Sequence, residues 1–126
     1  PPKNILFTTE QRISLFANAV SHLKNVKIVS FNGLVPKVAR DAGATFLVRG
    51  LRAGYDFETE FEMTHMWRTV DPEIDIVCMM SALQYQFVYS TRIKEVARLG
   101  GDISSLVPQQ VAAELKSRFP QESWDK

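Results

Sequence analysis

Read as a pattern of apolar and polar positions, the 126-residue chain alternates short apolar runs with longer stretches of helical period. Thr8-Thr9-Glu10-Gln11 has the form of a helix start, with Thr8 as N-cap and Gln11 at the reciprocal capping position. Ile13, Phe16, Ala17, Val20 and Leu23 follow at helical spacing and predict a helix from Thr9 to His22. Val26 to Ser30 is short and β-branched, bounded by Asn25 and Asn32-Gly33, and predicts a strand. Leu34 to Ala42 predicts a second helix, with Pro36 in its first turn and Gly43 closing it. Ala44 to Val48 is apolar throughout, the pattern of a central parallel strand buried on both faces.

A third helix is predicted from Asp56 to Thr69, with acids in its first turn, and Asp71-Pro72 ends it. Ile74 to Met79 reads as another buried strand, and Ser81 to Val88 as a loop rich in Gln and aromatics. Ser90-Thr91 opens a helix to Leu99, stopped by Gly100-Gly101. A last helix, Pro108 to Phe119, carries Val111, Leu115 and Phe119 on one face, and the polar tail after Pro120 is expected to fray.

This order predicts an α/β fold: a parallel sheet with right-handed crossovers and helices on both faces, one domain over residues 1–126. In such sheets ligands bind beyond the carboxyl ends of strands, near a topological switch point. Three segments fall at strand carboxyl ends: Phe31 to Val35, Arg49 to Tyr55, and Met80 to Thr91. Together they predict one functional edge.

Composition narrows the classes. A net charge of +1 without a Lys/Arg block argues against a nucleic-acid-binding surface. Cys78 is the only cysteine, so an intramolecular disulfide is excluded, a reducing compartment is expected, and within its apolar strand the thiol is expected to be buried and inert. No apolar run approaches a membrane span, and a cytoplasmic protein is expected.

The chemistry concentrates on the predicted edge. Arg49 and Arg52 present guanidinium forks that match phosphate oxygens, and Gly50 between them removes a side chain where a ligand could approach. The same arginines could instead pair with Asp56, Glu58 or Glu60; their place at a strand end favours the anion. Ser90-Thr91 offers hydroxyls and free N–H groups at a helix start, suited to an anion or to simple capping. His22 and His65 have no Cys or carboxylate at a zinc spacing, and neither a G-x-S-x-G nor a P-loop motif occurs.

Three segments, Lys3 with FTTEQR, VRGLRAGYDFETEFEM, and YQFVYSTRIKEVARLGGDISSLVP, give the chain its resemblance to bacterial phosphopantetheine adenylyltransferases, of the HIGH-type nucleotidyltransferase superfamily. The resemblance covers nearly the whole chain and implies a Rossmann-like doubly wound sheet. It implies transfer of the adenylyl group of ATP, with Mg²⁺, to 4′-phosphopantetheine, giving dephospho-coenzyme A and pyrophosphate. Carried over by position, Lys3 and Arg49 would bind the phosphopantetheine side, and Leu34 and Val35 would line the pantetheine arm. Gly50, Leu51 and Arg52 would meet ATP, Glu60 would contact the nucleotide, and Tyr85, Gln86, Phe87, Val88, Tyr89, Ser90 and Thr91 would close over it. Lys3 and Arg52 would carry transition-state charge. A homohexamer is also implied, with His65, Met66 and Trp67 candidates for a subunit contact.

The chain departs from the family pattern at Tyr89, where a small hydroxyl residue is usual. The family's T-x-G-H turn does not precede Pro1 in this sequence; the resemblance implies a βαβ unit of roughly 30 or more residues there, in the parent protein. A non-catalytic nucleotide- or coenzyme A-binding remnant, or an assembly subunit, is the alternative this departure raises.

Overall fold

Local chemistry sets the helix ends. In the computed structural model, which describes residues 5–52 and 54–120 (of 54 and 55 the backbone only), five α-helices and two strands follow in the order α1 (Thr9–Ala19), α2 (Val35–Asp41), β1 (Phe46–Leu51), α3 (Gly54–Val70), β2 (Asp75–Met80), α4 (Ser90–Arg98) and α5 (Gln109–Arg118). Thr8 and Gln11 form the expected capping box. The ends of α2 and α4 share one device. Gly43 and Gly100 take positive φ (76° and 82°), and the N–H groups of each glycine and of the residue after it donate back to helix carbonyls: Gly43 to Arg40 and Ala44 to Ala39, Gly100 to Ala97 and Gly101 to Val96.

The chain forms two compact units, Pro1–Ser30 with Val88–Lys126, and Phe31–Phe87. The first is helical. Ile93, Ala97, Ile103 and Leu115 form its buried centre, and Phe7, Val107, Val111 and Phe119 pack around them. α5 carries most of this by meeting both α1 and α4. The predicted strand at Val26 to Ser30 does not form. β-branching favours a strand only where a neighbouring strand takes up its backbone hydrogen bonds, and none lies beside this segment among the described residues of its unit. α1 ends at Ala19, short of the predicted His22, and its apolar stripe is only partly covered, with Phe16 exposed.

The second unit is a parallel βαβ element. β1 pairs with β2 in the register Phe46↔Asp75 to Leu51↔Met80, with α3 as the crossover and α2 beside it. Both helices meet β1, and Leu51 is buried. The prediction of strands buried on both faces is corrected. Phe46, Val48, Val77 and Met79 share the other face and remain exposed, because no element among the described residues of this unit covers it. Cys78 is also exposed rather than buried, standing opposite Arg49 in the register. Asp71 closes α3: it is buried, its carboxylate accepts from Arg40 of α2, and it takes the N–H of Glu73 at 3.1 Å. Among the described residues no helix is long and apolar enough to cross a membrane. Lys3 and the tail beyond Pro120 lie outside the described residues.

Candidate active site

The predicted loop from Arg49 to Tyr55 is shorter in the structure than the sequence suggests. Arg49, Gly50 and Leu51 complete β1, Arg52 follows it directly, and α3 starts at Gly54. A strand fixes the direction of Arg49 as a loop could not, since alternate side chains point to opposite faces. Arg49 therefore points to the face that α3 covers, whereas a Cβ added to Gly50 would meet nothing within 4 Å.

α3 turns an unusual face toward that strand. Asp56, Glu60, Thr64 and Trp67 recur at helical spacing, so they lie along one side of the helix. They are the less exposed residues of α3, while Phe57, Phe61, Met63 and Met66 face outward. A helix that burdens its covered side with two carboxylates requires cations opposite. Arg49 and Arg52 supply them. Arg49 donates through Nε and Nη2 to the two oxygens of Glu60, at 2.9 and 2.8 Å. Arg52 donates through Nε and Nη2 to Asp56, at 2.7 and 3.2 Å, and its own backbone N–H adds a bond of 3.1 Å. Both are side-on bidentate pairs, the geometry that best fixes a guanidinium plane. Glu58, the third candidate partner, is exposed and has no bond to either arginine.

The electrostatics follow. The bond to Glu60 raises the pKa of Arg49, working against the desolvation that would lower it. The bond from Arg52 holds the Asp56 carboxyl below the usual carboxylate range. The Cζ of Arg49 lies over the Trp67 ring, 5.3 Å from the ring centroid. Thr64 contributes a buried hydroxyl that has no hydrogen-bond partner among the described residues.

The other predicted site residues fall as follows. Leu34 is the exposed N-cap of α2 and Val35 its half-buried first residue. Tyr85 ends a short 3-10 turn, Leu83–Tyr85, and with Gln86 and Phe87 belongs to the unit of the sheet. Val88, Tyr89, Ser90 and Thr91 belong to the helical unit. There Tyr89 is the N-cap of α4 without a side-chain cap bond, so Ser90 and Thr91 occupy the first turn and neither serves as the cap. The Tyr89 ring lies under Arg92, 5.5 Å from Cζ, and Arg92 also pairs with Glu95 at 3.0 Å. Tyr89, Ser90 and Thr91 line an open groove of about 890 Å³ with Arg12, Lys94 and the apolar Val111 and Leu115. Of the candidates for a subunit contact, Trp67 is withdrawn, being 7% exposed and turned toward Arg49; His65 and Met66 are exposed.

Two guanidinium groups held in fixed planes at the end of a parallel strand can receive oxyanions. Comparison with known proteins identifies the setting. Residues 1–96 match the cytidylyltransferase-like family model. The chain is 45% identical over 119 residues to the phosphopantetheine adenylyltransferase of Herpetosiphon aurantiacus, spanning 94% of this chain and 72% of that protein. It is 48% identical over 117 residues to that of Thermomicrobium roseum, covering 93% and 70%. With that of a Synechococcus species it shares 45% over 120 residues, covering 95% and 76%.

The chain belongs to the phosphopantetheine adenylyltransferase family.

It is thus a nucleotidyltransferase with the α/β fold of that group, as its sequence resemblance implied. Asp56, which the sequence offers as a partner for the arginines, pairs with Arg52 at a four-residue spacing. Within this family setting, one residue of the site escaped the sequence reading. Trp67 was grouped with its outward neighbours, although it continues the spacing of Asp56, Glu60 and Thr64.

Proposed function

We propose that the protein transfers the adenylyl group of ATP to 4′-phosphopantetheine, releasing pyrophosphate and forming dephospho-coenzyme A, one step of coenzyme A biosynthesis. The observation that carries the reading is the pair of carboxylate-held arginines at the end of β1, in a chain of this family. A phosphate oxygen of the acceptor attacks the α-phosphorus of ATP, a new P–O bond forms, and the bond to the β-phosphate breaks. No covalent intermediate with the protein is involved. The work left to the protein is positioning and spreading positive charge over the transferring phosphorus.

In this reading Lys3 and Arg49 take the phosphate of the acceptor, and Leu34 and Val35 line its pantetheine arm. Gly50, Leu51 and Arg52 meet ATP, with Arg52 on its phosphates and Lys3 sharing the transition-state charge. Glu60 serves the nucleotide side while bonded to Arg49, and the segment Tyr85, Gln86, Phe87, Val88, Tyr89, Ser90 and Thr91 closes over the triphosphate. Mg²⁺ arrives with ATP. In this reading the ATP phosphates themselves would carry it. We place the reaction in the cytoplasm, where ATP is available. We also propose a homohexamer, which the outward apolar residues of α3, Phe57, Phe61, Met63 and Met66, support by their exposure.

Steady-state kinetics of two variants test the assignment. A hydrogen bond to a charged group contributes about 1.5–3 kcal/mol, so loss of either guanidinium is expected to lower kcat/KM about tenfold to hundredfold. For Arg49→Ala the loss should fall on the phosphorylated acceptor, and for Arg52→Ala on ATP. Equal kinetics in parent and variants would refute the assignment.

A further inference from the structure

The contacts of Arg49 leave one side of its guanidinium open. Nε and Nη2 are taken by Glu60 along the side edge, and Cζ lies over the Trp67 ring, 5.3 Å from its centroid. Among the described residues Nη1 has no hydrogen-bond partner, so the end edge, Nη1 with the second N–H of Nη2, still offers two parallel donors. That edge has the spacing to take two oxygens of a phosphate without release of Glu60.

Glu60 alone cannot hold this arrangement. A bidentate bond fixes the plane of the guanidinium only as well as the carboxylate is fixed, and rotation of Glu60 would carry the open edge with it. An aromatic ring beside the guanidinium limits that freedom. Trp67 is suited to it: the residue is 7% exposed, and its backbone carbonyl accepts the Asp71 N–H at 2.8 Å. Asp71 is in turn tied to Arg40 of α2. The backbone that carries the ring is therefore held where α3 meets α2.

We propose that Trp67 is a positioning residue for the acceptor phosphate, holding the Arg49 guanidinium over its ring so that the open Nη1–Nη2 edge receives the phosphate while Glu60 keeps the side edge. The proposal rests on the reading that Arg49 binds the phosphorylated acceptor, and it extends that reading to a residue that touches neither substrate. It also distinguishes the acceptor from ATP, since Trp67 stands under Arg49 and not under Arg52.

The test is kinetic, in the full-length protein, with 4′-phosphopantetheine and ATP varied separately. Trp67→Leu fills much of the space but removes the aromatic face, and is expected to raise KM for the acceptor about five- to tenfold while leaving KM for ATP within about twofold. Trp67→Phe restores a ring with a weaker attraction for cations, and should bring the rise back to about two- to threefold. In an Arg49→Ala background, Trp67→Phe should add nothing further, as two members of one unit are non-additive. If Trp67→Leu does not fold, Trp67→Phe and this double variant decide alone. An unchanged acceptor KM in the Trp67 variants, with a raised one in Arg49→Ala, would overturn the role of Trp67 and leave that of Arg49 standing. So would an equal rise for both substrates. An Arg49→Ala variant with unchanged acceptor KM would remove the underlying reading as well.

Discussion

Asp56 couples the site to acid stability. Its carboxyl titrates below the ordinary range because Arg52 bonds to it from both side chain and backbone. A carboxylate with a lowered folded pKa adds stability that is fully present above its unfolded value, near 3.9, and is lost as pH falls through the folded one. Asp102 is shifted the same way by the N–H of Ser104 and adds to the same slope. Asp56→Asn is therefore expected to flatten the dependence of unfolding free energy on pH below about pH 5, measured by urea titration at several pH values. An acid slope as steep as the parent's would contradict the pairing. Thr64 gives the opposite kind of prediction. Its buried hydroxyl lacks a partner among the described residues, and such a group costs about 1–3 kcal/mol, so Thr64→Val is expected to be neutral or stabilising by about 1 kcal/mol in the ligand-free protein. A clear fall in the thermal midpoint would show that the hydroxyl is satisfied.

At the scale of elements, helix ends were the most legible part of the sequence. Thr8-Gln11, Gly43 and Gly100-Gly101 each carry a local signal whose physics needs no distant partner, and each acts as expected. Gly101 also shows why the second glycine is required. A Cβ there would lie 2.5 Å from Val96 Cγ1 and 3.2 Å from the Val96 carbonyl oxygen. Val96 is β-branched and on a helix, so it cannot swing aside cheaply. Gly101→Ala is expected to destabilise by about 1–3 kcal/mol, read as a lowered thermal midpoint. The strands were less legible. Ala44 to Val48 and Ile74 to Met79 located β1 and β2 within a few residues, yet continuous apolar character did not reveal which face would be covered. Val26 to Ser30 has strand-forming residues without a strand, because pairing depends on a neighbour that local sequence cannot supply. The covered side of α3 was hidden for a related reason. Phe57 and Phe61 share a side that apolarity alone would turn inward, whereas the structure leaves them exposed and turns Asp56 and Glu60 to the arginines. Pairing overrides the apolar stripe.

For the whole molecule, the chemistry was read mainly from motif and less from pattern. Periodicity placed Arg49 and Arg52 at a strand end, which could equally serve a structural ion pair. Indeed both are paired. What lifts them from ion pairs to a candidate active site is membership of the adenylyltransferase family together with two fixed guanidinium planes at the carboxyl end of a parallel strand. Carboxylate pairing and phosphate binding are compatible because an arginine has more than one edge. The most direct test of this account is the amount of pyrophosphate released by the full-length protein given ATP and Mg²⁺, with and without 4′-phosphopantetheine, alongside mass-resolved measurement of dephospho-coenzyme A. The expected result is pyrophosphate and dephospho-coenzyme A in equal amounts, only when both substrates are present. No dephospho-coenzyme A, or the same pyrophosphate release without the acceptor, would contradict it.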